Sequence, residues 1–528
     1  MQKHGCSFSF GKSVRGSCNG LTYLNTWKKI LPFLGRAGTN FFRSGPCIRD
    51  RAERFMSSAA LRQAFDGLDA APVTRETTKT VSQNIFQRNL GMLRKLLFIF
   101  LLGFVLCASQ AANAAPRVDI YGPGQNSISL GLAAPLTGPN AEARGNGAKL
   151  QQIVNTNLSF LPFMRLTDPN TVPGGTVLGG VEPPAADFSR FQAAGSDIVV
   201  TTLWPGGDSG TQTVQMRAFE TSTGQRLFGK EYPNVHSGDL PEVADRFCAD
   251  LLEMLVGNGS FFRSTLCFVR KSGTLNAQVC TVKPTGRNLR QITNLPGEAM
   301  SPCWSPDARF IVFTLIDHKS HSLGVWDAGS GRVQRIRFPG DVVIGPSFLP
   351  DNTVAVALSN GKYPAIFQLN RAFQKSRVLE GGSSINVSPS FDSSGSRMAF
   401  TSSRQGGPQI FMKDLRSGSI TRVSQAGGYN TEANISPDGT LVAYSRLTSY
   451  GQRIFVQDMA TGQETQVSFG PGSDEQPSFC ADSYFIAFSS TRGGGHGIYL
   501  TTRHGGEAKR VPAGNSAFFP RWGLTTKK

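Results

Sequence analysis

Several signatures are missing from this 528-residue chain, and each absence removes a class of function. There is no G-x-S-x-G, so no serine hydrolase of the nucleophile-elbow type is attached. No H-E-x-x-H occurs, and no glycine-rich loop carries the Lys-Ser/Thr pair that cradles phosphates. Nine cysteines are present, but no two stand in a C-x-x-C, which excludes a zinc knuckle. One long apolar run exists, Leu96 to Leu106, and its eleven residues fall short of the ~20 that span a bilayer. A multi-span membrane protein is thereby excluded. Charged residues are sparse at 17%, whereas Gly 59 and Phe 37 are plentiful, a balance that favours β-structure with tight turns. The 39% hydrophobic content is enough to bury large cores, which excludes global disorder.

The net charge of +18 is unevenly placed. Residues 1–114 carry 16 Lys/Arg against 5 Asp/Glu, and residues 115–528 carry 38 against 31. The remainder is mildly basic and offers no focused nucleic-acid footprint. Met92-Leu93-Arg94-Lys95, the apolar run, and Ala112-Asn113-Ala114 read as the basic, hydrophobic and cleavage regions of a secretory signal, cut between Ala114 and Ala115. Cys107 lacks a small residue before it, which argues against a lipoprotein signal. A signal starts a chain, so translation is expected from Met92, with residues 1–91 a spurious extension. Five cysteines then remain: Cys248, Cys267, Cys280, Cys303 and Cys480. The odd count excludes a full disulfide framework. Cys267 and Cys280 fall on adjacent expected strands, which leaves two readings, a bridge or two buried thiols.

The C-terminal half repeats. The triplets Pro302-Cys303-Trp304, Pro346-Ser347-Phe348, Pro389-Ser390-Phe391, Ala433-Asn434-Ile435, Pro477-Ser478-Phe479 and Pro520-Arg521-Trp522 recur at gaps of 44, 43, 44, 44 and 43. A period this constant signals an array or a propeller. After each of the first four triplets comes a turn such as Ser305-Pro306-Asp307 or Ser436-Pro437-Asp438-Gly439. A buried apolar run follows, then an alternating strand, then a more polar one. Four strands graded from core to edge are what a propeller blade needs. Residues 265–294 supply three outer strands without an innermost one, and the chain ends on an innermost strand with nothing after it. Together they complete a blade, so six blades are expected over 263–528, closed by the C-terminal strand.

Residues 127–258 read as a small α/β domain with a mixed sheet. Strands are expected at 128–132, 163–166 and 197–202, and a hairpin at 214–219 and 226–232. Helices are expected at 142–158, 188–194 and 240–256. Residues 115–126 read as a flexible tail, alternating at Val118 and Ile120.

Candidate chemistry is thin. His318-x-x-His321 lies in a polar loop with only Asp317 nearby and reads as solvated. Gly493 to Gly497 joins two strands and opens no helix, so it is no phosphate cradle. Asp307, Asp351 and Asp438 are isolated turn residues and make no metal site. Arg404, Arg446 and Arg492 follow successive second strands, either lining a binding face or standing solvated. The innermost strands hold Cys303, Ser347, Ser390, Asn434, Ser478 and Arg521. That set is poor in acids and bases and disfavours the rival reading of a secreted enzyme with its site in the channel. A propeller scaffold for an unknown periplasmic partner is the other rival.

An exported chain with a short tail, a small α/β domain containing Ala193-Ala194-Gly195-Ser196-Asp197-Ile198-Val199-Val200, and P-[ST]-[FW]-SPDG propeller units resembles the TolB family over about 115–528. The resemblance implies a non-enzymatic, monomeric periplasmic component of the Tol–Pal envelope system, without cofactor or metal. It implies that the lipoprotein Pal docks on the propeller mouth and TolA on the tail, in support of outer-membrane integrity and invagination at division. Carried onto this sequence, the Pal contacts are Met300, Ser301, Gly345, Val387, Ser388, Thr431, Glu432, Glu475 and Gln476. The TolA contacts are Val118, Asp119 and Ile120. The stretch Gly340 to Ile344 is about one residue longer than the family's and has no His, and Tyr121 to Gly124 departs from the family's polar continuation.

Overall fold

A computed structural model of the chain describes residues 127–206, 210–273, 275–317, 320–359 and 362–525. The tail contacts Val118, Asp119 and Ile120, the Ala114–Ala115 cleavage site, residues 1–91 and His318 lie outside the described residues.

The N-terminal part is a mixed sheet carried by two long helices. Strands β1 (Ile128–Leu132), β2 (Leu136–Thr137), β3 (Met164–Leu166), β4 (Ile198–Trp204), β5 (Gln212–Glu220) and β6 (Arg226–Val235) form it in the order β3-β1-β4-β5-β6, with β2 beside β4. β1 runs parallel to β3 and β4, and the hairpin β5–β6 continues antiparallel. Helix α1 (Ala141–Ser159) starts where Asn140 Oδ1 accepts the Ala143 N–H. A short helix α2 (Ser189–Ala193) leads into β4. Helix α3 (Leu240–Val256) stops at Gly257, whose φ of 80° is a left-handed cap that a side chain would strain. A four-residue helix α4 (Ser260–Arg263) then passes the chain to the propeller.

The triplets lie on six strands, Gly297–Trp304, Val342–Phe348, Asn386–Phe391, Asn430–Ile435, Asp474–Phe479 and Ala517–Leu524. They are the innermost strands of what are called units one to six below. Units two to five are four-stranded sheets, each a sequential antiparallel meander. The chain-terminal strand of unit six pairs antiparallel with Ser264–Lys271, Arg521 opposite Cys267 and Trp522 opposite Leu266. Successive innermost strands touch, and the sixth touches the first, so the ring closes. The repeat is broken at one point: units one and six share an eight-stranded sheet, joined by a two-residue parallel pairing of Gly297 and Glu298 with Asn276 and Ala277.

The register decides between the two readings of the cysteines. Cys267 pairs with Thr281, and Cys280 pairs with Phe268. The offset of one residue puts the two side chains on opposite faces of the sheet, so no bridge forms and both cysteines are free. The N-terminal part and the propeller also share one continuous core. Phe163 packs edge-on to Tyr484 with centroids 5.8 Å apart, and Phe261 sits 4.4 Å from Phe485 and 5.6 Å from Trp522. Burying a ring such as Phe261 contributes about 2–3 kcal/mol.

Candidate functional site at the propeller mouth

Every innermost strand is broken by a β-bulge at the same place. Pairing with the second strand slips between Met300 and Cys303, Ile344 and Ser347, Val387 and Ser390, Thr431 and Asn434, and Glu475 and Ser478. In unit six the slip is between Phe518 and Arg521. The first bulge residue is left-handed each time: Ser301 (φ 49°), Gly345 (52°), Ser388 (56°), Glu432 (60°), Gln476 (61°) and Phe519 (52°). Only one of the six is glycine, and each of the others bears a backbone cost of about 1–2 kcal/mol. A strained position kept in all six units is a built feature that re-aims side chains at the rim.

The residues expected to contact a partner are these bulge residues and their immediate predecessors. Three of them, Ser301, Gly345 and Ser388, line one channel, and eight of the nine are half-buried. The ninth, Gln476, is 6% exposed. Its side chain holds neighbouring strands together, because Oε1 accepts the Ser489 hydroxyl at 2.6 Å and the Phe519 N–H at 2.9 Å. Glu432 works the same way one unit earlier, its Oε2 accepting the Gln476 N–H at 2.8 Å and the Ser445 hydroxyl at 3.1 Å. The Glu432 N–H in turn donates to Thr401 Oγ1 at 3.2 Å. A hydrogen-bonded relay therefore runs from unit three to unit six along the bulges.

Below the rim, the middle residues of three triplets form a second relay. Ser390 Oγ accepts the Ile435 N–H at 3.1 Å, and Asn434 Oδ1 accepts the Phe479 N–H at 2.7 Å. Ser478 Oγ accepts the Trp522 N–H at 3.3 Å. Their polar groups tie unit three to four, four to five and five to six.

The rim is acidic on one side. Burial, then the Glu432 and Asp474 carboxylates, push Glu475 up to about 7. Burial also raises Glu432, against the stabilising hydrogen bond from Gln476. Glu475 makes no ion pair among the described residues. Its neighbour Asp474 does, receiving Arg492 Nη2 at 2.8 Å on each oxygen.

Comparison with known proteins decides the family. A model of the family described as "TolB beta propeller domain" matches residues 252–526. The chain belongs to the TolB β-propeller family. It is 58% identical to the Tol-Pal system protein TolB of Nitratidesulfovibrio vulgaris over 307 residues, which cover 58% of this chain and 70% of that one. A TolB homolog of Chlorobium luteolum is 28% identical over 327 residues, covering 60% and 72%. The crystal structure of TolB from Acinetobacter baumannii superposes with a TM-score of 0.65 at 20% identity, covering 75% of this chain and 96% of that one.

On this TolB-family propeller the three repeated arginines are neither solvated nor free to bind. Arg404 lies over Phe400 and Phe411, Arg446 over Tyr444 and Phe455, and Arg492 over Phe488 and Tyr499, each within 5.6 Å of the ring centroids. Arg404 also pairs with Glu380, Arg446 with Glu464 and Arg492 with Asp474. They pin the second and third strands of their sheets. The turn aspartates bond within their own turns: Asp307 accepts the Ser305 hydroxyl at 2.6 Å and Asp438 the Ser436 hydroxyl at 2.5 Å.

Sequence reasoning missed the tyrosines of this face. In an antiparallel meander the loop between the second and third strands returns to the end where the innermost strand begins. Tyr363 and Tyr450 lie in two such loops and are 51% and 82% exposed. Tyr429, 40% exposed, directly precedes the fourth innermost strand, and its backbone carbonyl accepts the Leu447 N–H at 3.0 Å. The signal was available in the repeat itself, because these positions follow from the strand order.

Proposed function

We propose that the chain acts as a periplasmic protein-binding component of the Tol–Pal system. Pal docks on the propeller mouth, TolA binds the tail at Val118, Asp119 and Ile120, and the complex supports outer-membrane integrity and invagination during division. The reading takes residues 92–114 as signal peptide cut at Ala114–Ala115, 115–126 as tail, 127–258 as α/β domain and 263–528 as a six-bladed propeller. Residues 1–91 are read as spurious, and the mature protein as a monomer without cofactor, metal or enzymatic activity. Among the described residues, no helix is long and apolar enough to cross a membrane.

One observation carries the docking site: six bulges at the same place in successive innermost strands, with exposed Tyr363, Tyr429 and Tyr450 at the same end of units two and four. Aromatic residues at the centre of a desolvated patch are the usual anchors of a protein interface. The ring side chains beneath support a binding module, because they bring together no pair of an acid and a base that could run a reaction.

Calorimetry with the soluble domain of Pal tests the reading, using this protein with and without residues 115–124. Binding in both forms is expected. Absence of binding in both overturns the docking assignment, and binding lost only on deletion moves the Pal site to the tail.

A further inference from the structure

The channel beneath the rim holds a cation without a carboxylate. A cavity of about 170 Å³ is lined by all six innermost strands, and Arg521 is the charged residue in its wall. Among the described residues its guanidinium makes one hydrogen bond, Nη1 donating to Pro477 O at 2.7 Å. Among the described residues no carboxylate comes within 4.0 Å of it. Glu432 feels the Arg521 charge, but its own Oε2 is held by Gln476 and Ser445. A guanidinium carries five N–H donors in a planar fork, so most of its donors here remain unmatched.

The rest of the lining adds donors and no acid. Ser390 and Ser478 accept backbone N–H groups, which leaves their own O–H protons uncommitted among the described residues. Trp522 belongs to the same wall, and its buried indole N–H has no acceptor among the described residues. A half-buried cavity with a fixed cation and surplus donors is complementary to an anion. Its volume is several times what one water needs, which leaves room for a small organic anion.

We propose that the channel is a carboxylate site seated on Arg521, the planar carboxylate meeting the guanidinium fork in two parallel hydrogen bonds while a channel serine donates a third. The site lies beneath the rim, shares Ser301, Gly345 and Ser388 with it, and does not rest on the docking reading. Its ligand is either a free small carboxylate or a carboxylate presented by a docked protein.

The test is an acetate titration of the purified protein in chloride-free buffer, followed by thermal shift and by line broadening of labelled acetate. Inorganic phosphate, R521Q and R521K run in parallel. Saturable acetate binding is expected in the wild type, at least tenfold weaker in R521Q. R521K keeps charge but loses the fork, so a loss of about tenfold is expected there, and it supplies the readout should R521Q not fold. Non-saturable binding, binding equal to wild type in either variant, or tighter binding of phosphate than acetate overturns the proposal. A second arm separates the sources. Acetate that weakens Pal-domain binding to the wild type but not to R521Q identifies the partner's carboxylate as the occupant. Pal-domain binding unaffected by saturating acetate identifies a free anion.

Discussion

The two arcs of the mouth are built differently. In units four to six the bulge N–H groups of Glu432, Gln476 and Phe519 each find a side-chain acceptor on the preceding unit. In units one to three the bulge residues are Ser301, Gly345 and Ser388, and among the described residues no side chain accepts from their N–H groups. The backbone geometry is the same in both arcs, with φ between 49° and 61°. The side-chain relay is therefore not what creates the bulge. It is what fixes one arc while the other keeps small residues and open backbone. One arc is tied from unit to unit by its side chains, and the other is not.

The largest effect is expected where the fixed arc is anchored by charge. Asp474 is fully buried and accepts two hydrogen bonds from Arg492, with Arg453 at 3.9 Å. Removing it in D474A strands two largely buried guanidinium groups, and breaking such a pair costs about 3–5 kcal/mol. Chemical denaturation should show that loss, and a loss under about 1 kcal/mol would place the rigidity of this arc elsewhere. Gln476→Ala is the next step down. It removes the acceptor of the Phe519 N–H and of Ser489, for a cost of about 2 kcal/mol. Ser388→Ala, at the equivalent position of the open arc, should fall within about 0.5 kcal/mol of wild type. Equal losses at both positions would erase the distinction between the arcs.

Much of this architecture is readable before any coordinates. The triplets announce their period because every innermost strand needs the same residue types where it turns into the core. The closing strand is legible because residues 265–294 lack an innermost strand and Phe519 to Trp522 lack outer ones. What escapes is anything set by a register of one residue. Cys267 and Cys280 stand on neighbouring strands in either register, and only the pairing with Thr281 and Phe268 separates their faces. Arg404 reads as a loop residue until Phe400 is known to lie opposite Phe411, which makes the slot for its guanidinium. Gln476 reads as a contact because its neighbours are contacts. Its burial depends on Ser489 and Phe519 arriving from other strands.

Glu475 lets the comparison be read through pH. Its carboxyl is raised from 4.5 to about 7, so its contribution to stability is complete below about 4.5 and disappears as pH rises through about 7. In the charged form it repels Glu432 and Asp474. Glu475→Gln should flatten the stability profile over that window and make the protein about 1–2 kcal/mol more stable at pH 8, allowing for its partial exposure. Thermal melts from pH 4.5 to 8 give the answer, and an E475Q profile parallel to wild type would show that the acidic side of the rim is well solvated. The smallest effect on folding is expected at Tyr450, which is 82% exposed. Tyr450→Ala should leave the denaturation midpoint unchanged while weakening Pal-domain binding by about tenfold, the loss typical of an aromatic anchor. Unchanged binding would confine the interface to the bulges. A fall in stability would instead mean that the tyrosine belongs to the fixed arc, whose rim then extends beyond the relay into the loops between second and third strands.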